Sequence, residues 1–258
     1  MKHVSQLVAR VTQAEQVWLF LDYDGTLADF APTPEHVEPD PELVALLTRL
    51  AAQPRYRLAI ISGRRLSHIQ ALVPVPGILL AGAYGVELQS ADGQRIDQLS
   101  YEVVRPALTA LKPGWENLIA NRDGFFLEDK GWTLALHARF ADDEEAGTVL
   151  AAARRLAATA VSSGDFRLTG GHKFLEIGPR SAHKGRTVEF LLQQYPWPDS
   201  LLLYMGDDDK DEEAFRVIQA RGGVAILVMS QSADYSHSPA DYFLESPLTV
   251  RRWLQALL

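Results

Sequence analysis

Residues 17–27, VWLFLDYDGTL, carry five consecutive apolar side chains and then switch abruptly to Asp22, Tyr23, Asp24, Gly25 and Thr26. A short uninterrupted apolar run suits a strand buried on both faces, as in a parallel sheet covered by helices. In open α/β sheets ligands bind beyond the carboxyl ends of the strands, so Asp22 and Asp24 stand where a site is expected. Their spacing of two puts both side chains on one side of an extended chain, and Gly25 lets the backbone turn away at once. Two such carboxylates repel unless a cation or a proton is shared. Mg²⁺, which takes hard oxygen ligands from one or two carboxylates, a substrate phosphate and water, resolves that conflict. The plainer alternative is a turn capped by an Asp after an ordinary strand.

The rest of the chain repeats the pattern. Residues 56–61, YRLAII, read as a second buried strand that ends at Ser62, Gly63 and Arg64, and residues 78–81 as a third that ends at Gly82, Ala83, Tyr84 and Gly85. Residues 200–205 form another apolar run, closed by Gly206, Asp207, Asp208 and Asp209, and residues 224–228 a further strand. Helices are expected between them. Val4, Leu7, Val8 and Val11 recur at helical spacing, and Asp40 with Pro41 makes a helix start whose buried stripe is Leu43, Leu46, Leu47 and Leu50. Pro32 and Pro34 interrupt regular structure after the acidic loop. A helix beginning at Lys184 buries Val188, Phe190 and Leu191, one through Phe215 and Ile218 follows the second acidic cluster, and Val250, Trp253, Leu254 and Leu257 mark a closing helix.

Between these α/β portions the rhythm changes. Residues 86–98 read as a hairpin around Ala91, Asp92 and Gly93, followed by a helical stretch broken at Pro113 and Gly114. Two short strands at 125–128 and 132–139, an Ala-rich helix over 142–160, and strands near Phe166 and at 173–177 complete a small α+β unit. The expected architecture is therefore α/β: a core from residues 1–103 and 181–258, with residues 104–180 inserted as a second domain. In 132–139, Trp132, Leu134, Leu136 and Ala138 face one way while Thr133, His137 and Arg139 face the other, giving one packing face and one polar face.

The totals narrow the function. With 33 acids against 25 bases the net charge is −8, which disfavours a nucleic-acid binder. There are no cysteines, hence no disulfide framework and no thiolate metal site. No apolar run approaches the roughly 20 residues that span a bilayer, and the N-terminal residues lack the apolar core of a secretory signal. A cytoplasmic, monomeric protein acting on a small molecule is expected, with no nucleic-acid or membrane partner.

The sequence order of the polar clusters resembles that of the haloacid dehalogenase superfamily of phosphatases: DxDGT after a buried strand, Ser62 after a second, an isolated Lys184, then GDDxxD. That resemblance implies a Rossmann-like core with a C2-type cap. Asp22 would be the nucleophile forming an aspartyl phosphate, and Asp24 the general acid and then the base. Ser62 and Lys184 would bind phosphoryl oxygens, and Asp22, the Asp24 backbone carbonyl and Asp207 would hold Mg²⁺. Asp208 and Asp211 would orient a metal water or Lys184.

Within the superfamily, LDYDGTL, ISGR at 61–64, EDKGWTLALHAR at 128–139, KFLEI at 173–177 and GDDDKDE at 206–212 resemble the trehalose-6-phosphate phosphatase family. By that resemblance Arg64, Glu128, Lys130, His137, Arg139 and Glu176 bind substrate, the last five from the cap, whose closure excludes water. The chain departs from the family pattern at Gly82–Ala83–Tyr84–Gly85, usually Gly-Ser-His-Gly, and at Lys210, usually Thr. Sucrose 6-phosphate, glucosylglycerol phosphate and mannosyl-3-phosphoglycerate therefore stay open as substrates, as do a non-hydrolytic sugar-phosphate sensor and a phosphomutase.

Overall fold

The computed structural model describes residues 2–29, 38–171, 173–229 and 238–258. Pro32 and Pro34 lie outside the described residues. In chain order the strands are β1 (Lys2–His3), β2 (Val17–Leu21), β3 (Tyr56–Ile61), β4 (Leu79–Gly82), β5 (Glu87–Gln89), β6 (Arg95–Asp97), β7 (Phe126–Asp129), β8 (Leu134–His137), β9 (Phe166–Gly171), β10 (Phe174–Pro179), β11 (Leu201–Gly206), β12 (Val224–Val228) and β13 (Tyr242–Leu244). The helices are α1 (Val8–Gln13), α2 (Pro41–Ala51), α3 (Leu66–Leu72), α4 (Tyr101–Ile119), α5 (Asp143–Ser162), α6 (Lys184–Gln194), α7 (Asp209–Gln219) and α8 (Pro247–Gln255). The chain divides into two compact units, residues 1–96 with 183–258, and residues 97–182. A division at 103/104 would cut through α4, which instead belongs whole to the insertion.

The first unit is built on a sheet with strand order β1-β13-β12-β11-β2-β3-β4-β5-β6. From β1 to β4 along that order all neighbours are parallel, and β5 then runs antiparallel to β4. Strand β2 is central and wholly buried, as its composition requires. Its alternating side chains divide between two cores. Val17, Leu19 and Leu21 join the layer containing α2, α3 and α8, while Trp18 and Phe20 join the layer of α6 and α7. After β2 the chain builds outward through β3 and β4, and later returns to build through β11, β12 and β13 on the other side. The order therefore reverses between β2 and β11, the kind of switch point at which the strand ends open a crevice.

Local signals fix several of these elements. The Asp40 side chain accepts from the N–H groups of Glu42 and Leu43, and Pro41 opens α2, whose Leu43, Leu46, Leu47 and Leu50 are buried. Several differences from the sequence reading sit at short elements. Residues 2–3 form a strand parallel to β13, neither of which is legible in the hydrophobic pattern. Val4, Leu7 and Val11 are buried but Val8 is exposed, because residues 4–7 wind as a 3₁₀ turn that shifts the helical phase. Leu257 lies beyond the end of α8.

The insertion is a four-stranded antiparallel sheet, β7-β8-β10-β9, with α4 and α5 packed on it. Helix α4 does not break at Pro113 and Gly114 but runs through both Pro106 and Pro113. Each proline removes a backbone donor, at a cost of about 3 kcal/mol in a helix interior. Against this α4 buries Val104, Leu108 and Trp115 on one stripe, and the Trp115 indole N–H donates to the Ala153 carbonyl of α5 at 3.1 Å. Tertiary burial thus overrides local propensity. Trp115→Ala is expected to destabilise this unit by about 3–5 kcal/mol in chemical denaturation followed by circular dichroism; a loss below about 1 kcal/mol would show that α4 is held by something else.

Candidate active site

Asp22 continues the parallel ladder beyond β2, its N–H donating to the Met205 carbonyl of β11 at 2.9 Å. This bond sets the two acidic strand ends, at Asp22 and Asp207, side by side at the switch point. Among the described residues, carboxylate oxygens of Asp22, Asp207 and Asp211 lie within 4.8 Å of one another, all three side chains buried. The approach of Asp207 depends on a missing side chain. Gly25 has φ +79°, and a Cβ there would come 2.2 Å from an Asp207 carboxylate oxygen. Thr26 donates to the other oxygen at 3.4 Å.

Lys184, the first residue of α6 and itself buried, enters the cluster from the far end of the chain. Its ammonium donates to Asp22 Oδ1 at 2.8 Å and to Asp211 Oδ1 at 2.6 Å, and stands 3.6 Å from Asp208. Asp211 is saturated with donors. Oδ1 also accepts from the Tyr204 hydroxyl at 2.7 Å, and Oδ2 accepts the N–H groups of Asp207 and Asp208 at 3.0 and 3.1 Å. Asp208 caps α7 and forms a reciprocal capping box with Asp211. Asp211 therefore anchors Lys184 and the loop, while Asp22 and Asp207 remain to face a cation.

Burial pushes all three of these carboxyls upward, Asp211 included, so it is their donors and not their electrostatics that distinguish them. Burial, then the charges of Asp207 and Asp208, push the Asp22 carboxyl well above its ordinary range, against the opposing pull of Lys184. Asp207 is pushed up to about 8 by burial and by Asp211 and Asp208. The Lys184 ammonium holds its proton more tightly than usual, because Asp208, Asp211 and Asp22 outweigh its burial. Two neighbouring buried carboxyls that resist ionisation, one of them seated where Gly25 lacks a side chain, fit a hard divalent cation, which would restore both to the charged form.

Asp24 does not join the acidic group. Arg64 grips it through both oxygens, Nε to Oδ2 at 2.7 Å and Nη2 to Oδ1 at 2.6 Å. Arg64 is therefore placed on Asp24, where sequence reading had it on substrate. Ser62 is buried at the end of β3, and its Oγ accepts from the Arg64 N–H at 3.1 Å, which directs the hydroxyl proton elsewhere.

In the insertion, register puts Glu128, Ala135 and Glu176 in one row across β7, β8 and β10. The small side chain between them leaves the two acids facing each other. His137 Nε2 lies 3.0 Å from Glu128 Oε2, and Lys130 Nζ 3.6 Å from the same atom. Lys130 also donates to Glu176 Oε1 at 3.1 Å, as does Thr133 at 2.8 Å. Burial raises the Glu128 carboxyl, but His137 and Lys130 outweigh it and hold the group below its ordinary range. Four of the five sequence candidates here thus form one network. Arg139 is not brought into it: β8 ends at His137, residues 138–141 form a turn, and the exposed Arg139 guanidinium stands over Phe140. Thr133 and Tyr204 were missed as site residues. Alternation already put Thr133 on the polar face, whereas Tyr204 sits inside an apolar run with no signal.

Fold and site together define a member of the haloacid dehalogenase superfamily. A family model described as trehalose-phosphatase matches residues 20–248, and the chain belongs to that family. A trehalose-phosphate phosphatase of Mycobacterium bovis (strain BCG) is 32% identical over 248 residues, covering 95% of this chain and 62% of its own length. A Mycobacterium tuberculosis protein called an uncharacterized glycosyl hydrolase is 32% identical over 245 residues, 93% of this chain but 18% of its own length. The chain thus spans less than two thirds of these relatives. The C-terminal domain of Candida albicans trehalose-6-phosphate phosphatase shares the fold, with TM-score 0.84 at 20% identity over 98% of this chain and 96% of that one. No helix of the described residues is long and apolar enough to cross a membrane.

The cradle at Gly25 can be tested directly. Mg²⁺ is expected to raise the melting temperature of the parent protein; Gly25→Ala, by straining a left-handed position and displacing Asp207, is expected to lower stability by about 1–2 kcal/mol and to abolish that rise. A variant that kept the full Mg²⁺-induced rise would remove Asp207 from the cation site.

Proposed function

We propose that this protein hydrolyses a sugar phosphate, trehalose 6-phosphate in the first instance, through an aspartyl-phosphate intermediate. The observation that carries the reading is the Lys184 ammonium bound between Asp22 and Asp211 beside the Asp22–Asp207 pair, a site that couples a candidate nucleophile to a cation and a metal position. Mg²⁺ held by Asp22, the Asp24 carbonyl and Asp207 would neutralise charge between the carboxylate and the anionic ester. A carboxylate oxygen of Asp22 attacks phosphorus, and the bond from phosphorus to the sugar oxygen breaks. Asp24 delivers a proton to that leaving oxygen, then takes one from the water that attacks the aspartyl phosphate, freeing Asp22 and inorganic phosphate. Arg64 occupies one acceptor position on each Asp24 oxygen and leaves the others for proton transfer, so Arg64 is a positioning residue for Asp24. Ser62 and Lys184 bind phosphoryl oxygens.

The polar sheet face of the insertion supplies sugar recognition. Glu128 and Glu176 accept from sugar hydroxyls and Lys130 and His137 donate to them, as their chemistry allows. Support comes from their union in one network and from family membership.

Inorganic phosphate release should be Mg²⁺-dependent, suppressed by chelator, and fastest with trehalose 6-phosphate among sucrose 6-phosphate, glucosylglycerol phosphate, mannosyl-3-phosphoglycerate and glucose 6-phosphate. Asp22→Asn should lose at least about 10³-fold in kcat while melting normally; retention of most activity would rule Asp22 out as nucleophile. Glu128→Ala should lower kcat/KM for the sugar phosphate by about tenfold or more and leave p-nitrophenyl phosphate nearly unaffected. Equal losses on the two substrates would sink the recognition role.

A further inference from the structure

The polar sheet face of the insertion also carries an aromatic row. Alternation turns Leu127, Leu136 and Leu175 to the face under α4 and α5, and puts Glu128 and Glu176 on the opposite one. On that second face the register also aligns Phe126 of β7, His137 of β8 and Phe174 of β10. The two rows stand two residues apart along the strands, roughly 7 Å. Phe125 turns inward onto Ala138, Ala141 and Ala146, so Phe126 turns outward. Its ring lies flat on the His137 imidazole, with centroids 4.1 Å apart and planes 5° from parallel. Phe174 meets the same imidazole at 5.2 Å and 60°. Held by both rings, His137 reaches Glu128 Oε2 at 3.0 Å.

Cross-strand pairing accounts for the contact with His137 but leaves one face of the Phe126 ring without a role. The face against the imidazole is covered, so the 38% of Phe126 that stays exposed belongs to the rim and the opposite face. Strand β7 is an edge of its sheet, and no further strand lies beyond that face. A lone exposed apolar side chain is ordinary. This one stands beside an open acceptor. Glu128, two residues along on the same face, turns Oε2 to His137 and Lys130, and among the described residues its Oε1 accepts no hydrogen bond. Although burial opposes it, His137 and Lys130 hold that carboxyl below its ordinary range, so Oε1 stays an anionic acceptor. An electron-rich ring face next to a carboxylate oxygen is complementary to a glucose ring. The C–H groups of such a ring project from its faces, apolar and slightly positive, and its hydroxyls project from its rim. Hydroxyl contacts alone exchange one set of hydrogen bonds for another at small net gain, whereas covering the C–H face removes apolar area from water.

We propose that Phe126 is a specificity-determining residue, which stacks its outer face on one glucose ring of the substrate while a hydroxyl of that ring donates to Glu128 Oε1. The proposal rests on the sugar-phosphate reading for the identity of the ligand, but its test needs no turnover. The probe is trehalose, which has the two rings and no ester, added to the full chain and followed by proton magnetic resonance. Irradiating the aromatic protons of the protein should transfer saturation to the C–H protons on a single face of a glucose ring, and those protons should shift upfield on binding. Phe126→Leu, which keeps apolar bulk against His137, should lose both signatures and bind trehalose about tenfold more weakly, whereas Phe126→Trp should keep both. KM for trehalose 6-phosphate should rise in Phe126→Leu by a similar factor, with kcat changing less. No trehalose binding by the parent protein at millimolar concentration, or both signatures retained in a normally melting Phe126→Leu protein, would overturn the proposal. Weaker binding by Phe126→Leu without face-selective transfer in the parent would also overturn it, leaving Phe126 as a support for His137. Face-selective transfer in a chain that releases phosphate from no ester would uphold Phe126 and reject the hydrolase reading instead.

Discussion

A lysine ammonium buried between two buried aspartates governs this molecule. Lys184 joins Asp22, on the other side of the insertion, to Asp211, and neither acid is a low-cost neighbour for the other without it. Leaving one charge of such a buried set uncompensated costs about 3–5 kcal/mol, so the arrangement is a demand on the fold as well as a resource for chemistry. The sheet meets the demand by its topology. Strands β2 and β11, and helix α6 that carries Lys184, come from segments on either side of the insertion, and parallel pairing of β2 with β11 brings their acidic ends together. The insertion interrupts the sequence without interrupting that pairing.

Around the ammonium the acids divide their labour by what donates to them. Asp211 receives a lysine, a phenol and two backbone N–H groups, so it is an anchor with no capacity left. Asp22 and Asp207 receive fewer donors, while burial pushes the carboxyls of all three upward. The same side-chain type thus serves as structural support at 211 and, on the proposed reading, as a cation ligand at 22 and 207. What separates them is donor count, which follows from backbone geometry at the start of α7 and from the missing side chain at Gly25.

This explains which parts were legible in the sequence. Strand β2, the cap of α2 at Asp40–Pro41 and the polar residues closing each strand announce themselves, because burial and capping act over a few neighbouring residues. Family motifs singled out Glu128, Lys130, His137 and Glu176, and alternation put His137 and Thr133 on the polar face, but neither showed which of them bond to one another. Strands β1 and β13 were not legible: a two-residue and a three-residue strand hold too few side chains to show a period, and each exists because a longer neighbour offers unpaired backbone. Helix α4 was misread for the opposite reason. Its two prolines are strong local signals, and they are outweighed by Trp115 burial that no local window contains.

The bonds that refine the site belong to this illegible class. Arg64 reaches back forty positions to Asp24, Tyr204 reaches from inside an apolar strand to Asp211, and Lys210 reaches Tyr84 across the whole insertion. Motifs record which residues stand at strand ends, since those positions are set by the backbone. They do not record which charges are already neutralised by a partner, and that decides what an acid or a base has left to offer a ligand. Tyr84 and Lys210 make the point most sharply: taken singly, each is a departure from a family pattern, a bulky side chain in one loop and a long cation in another. Joined at 2.6 Å, they read as one coupled change, in which the phenol that fills the space over Gly63 also fixes the charge that accompanies it.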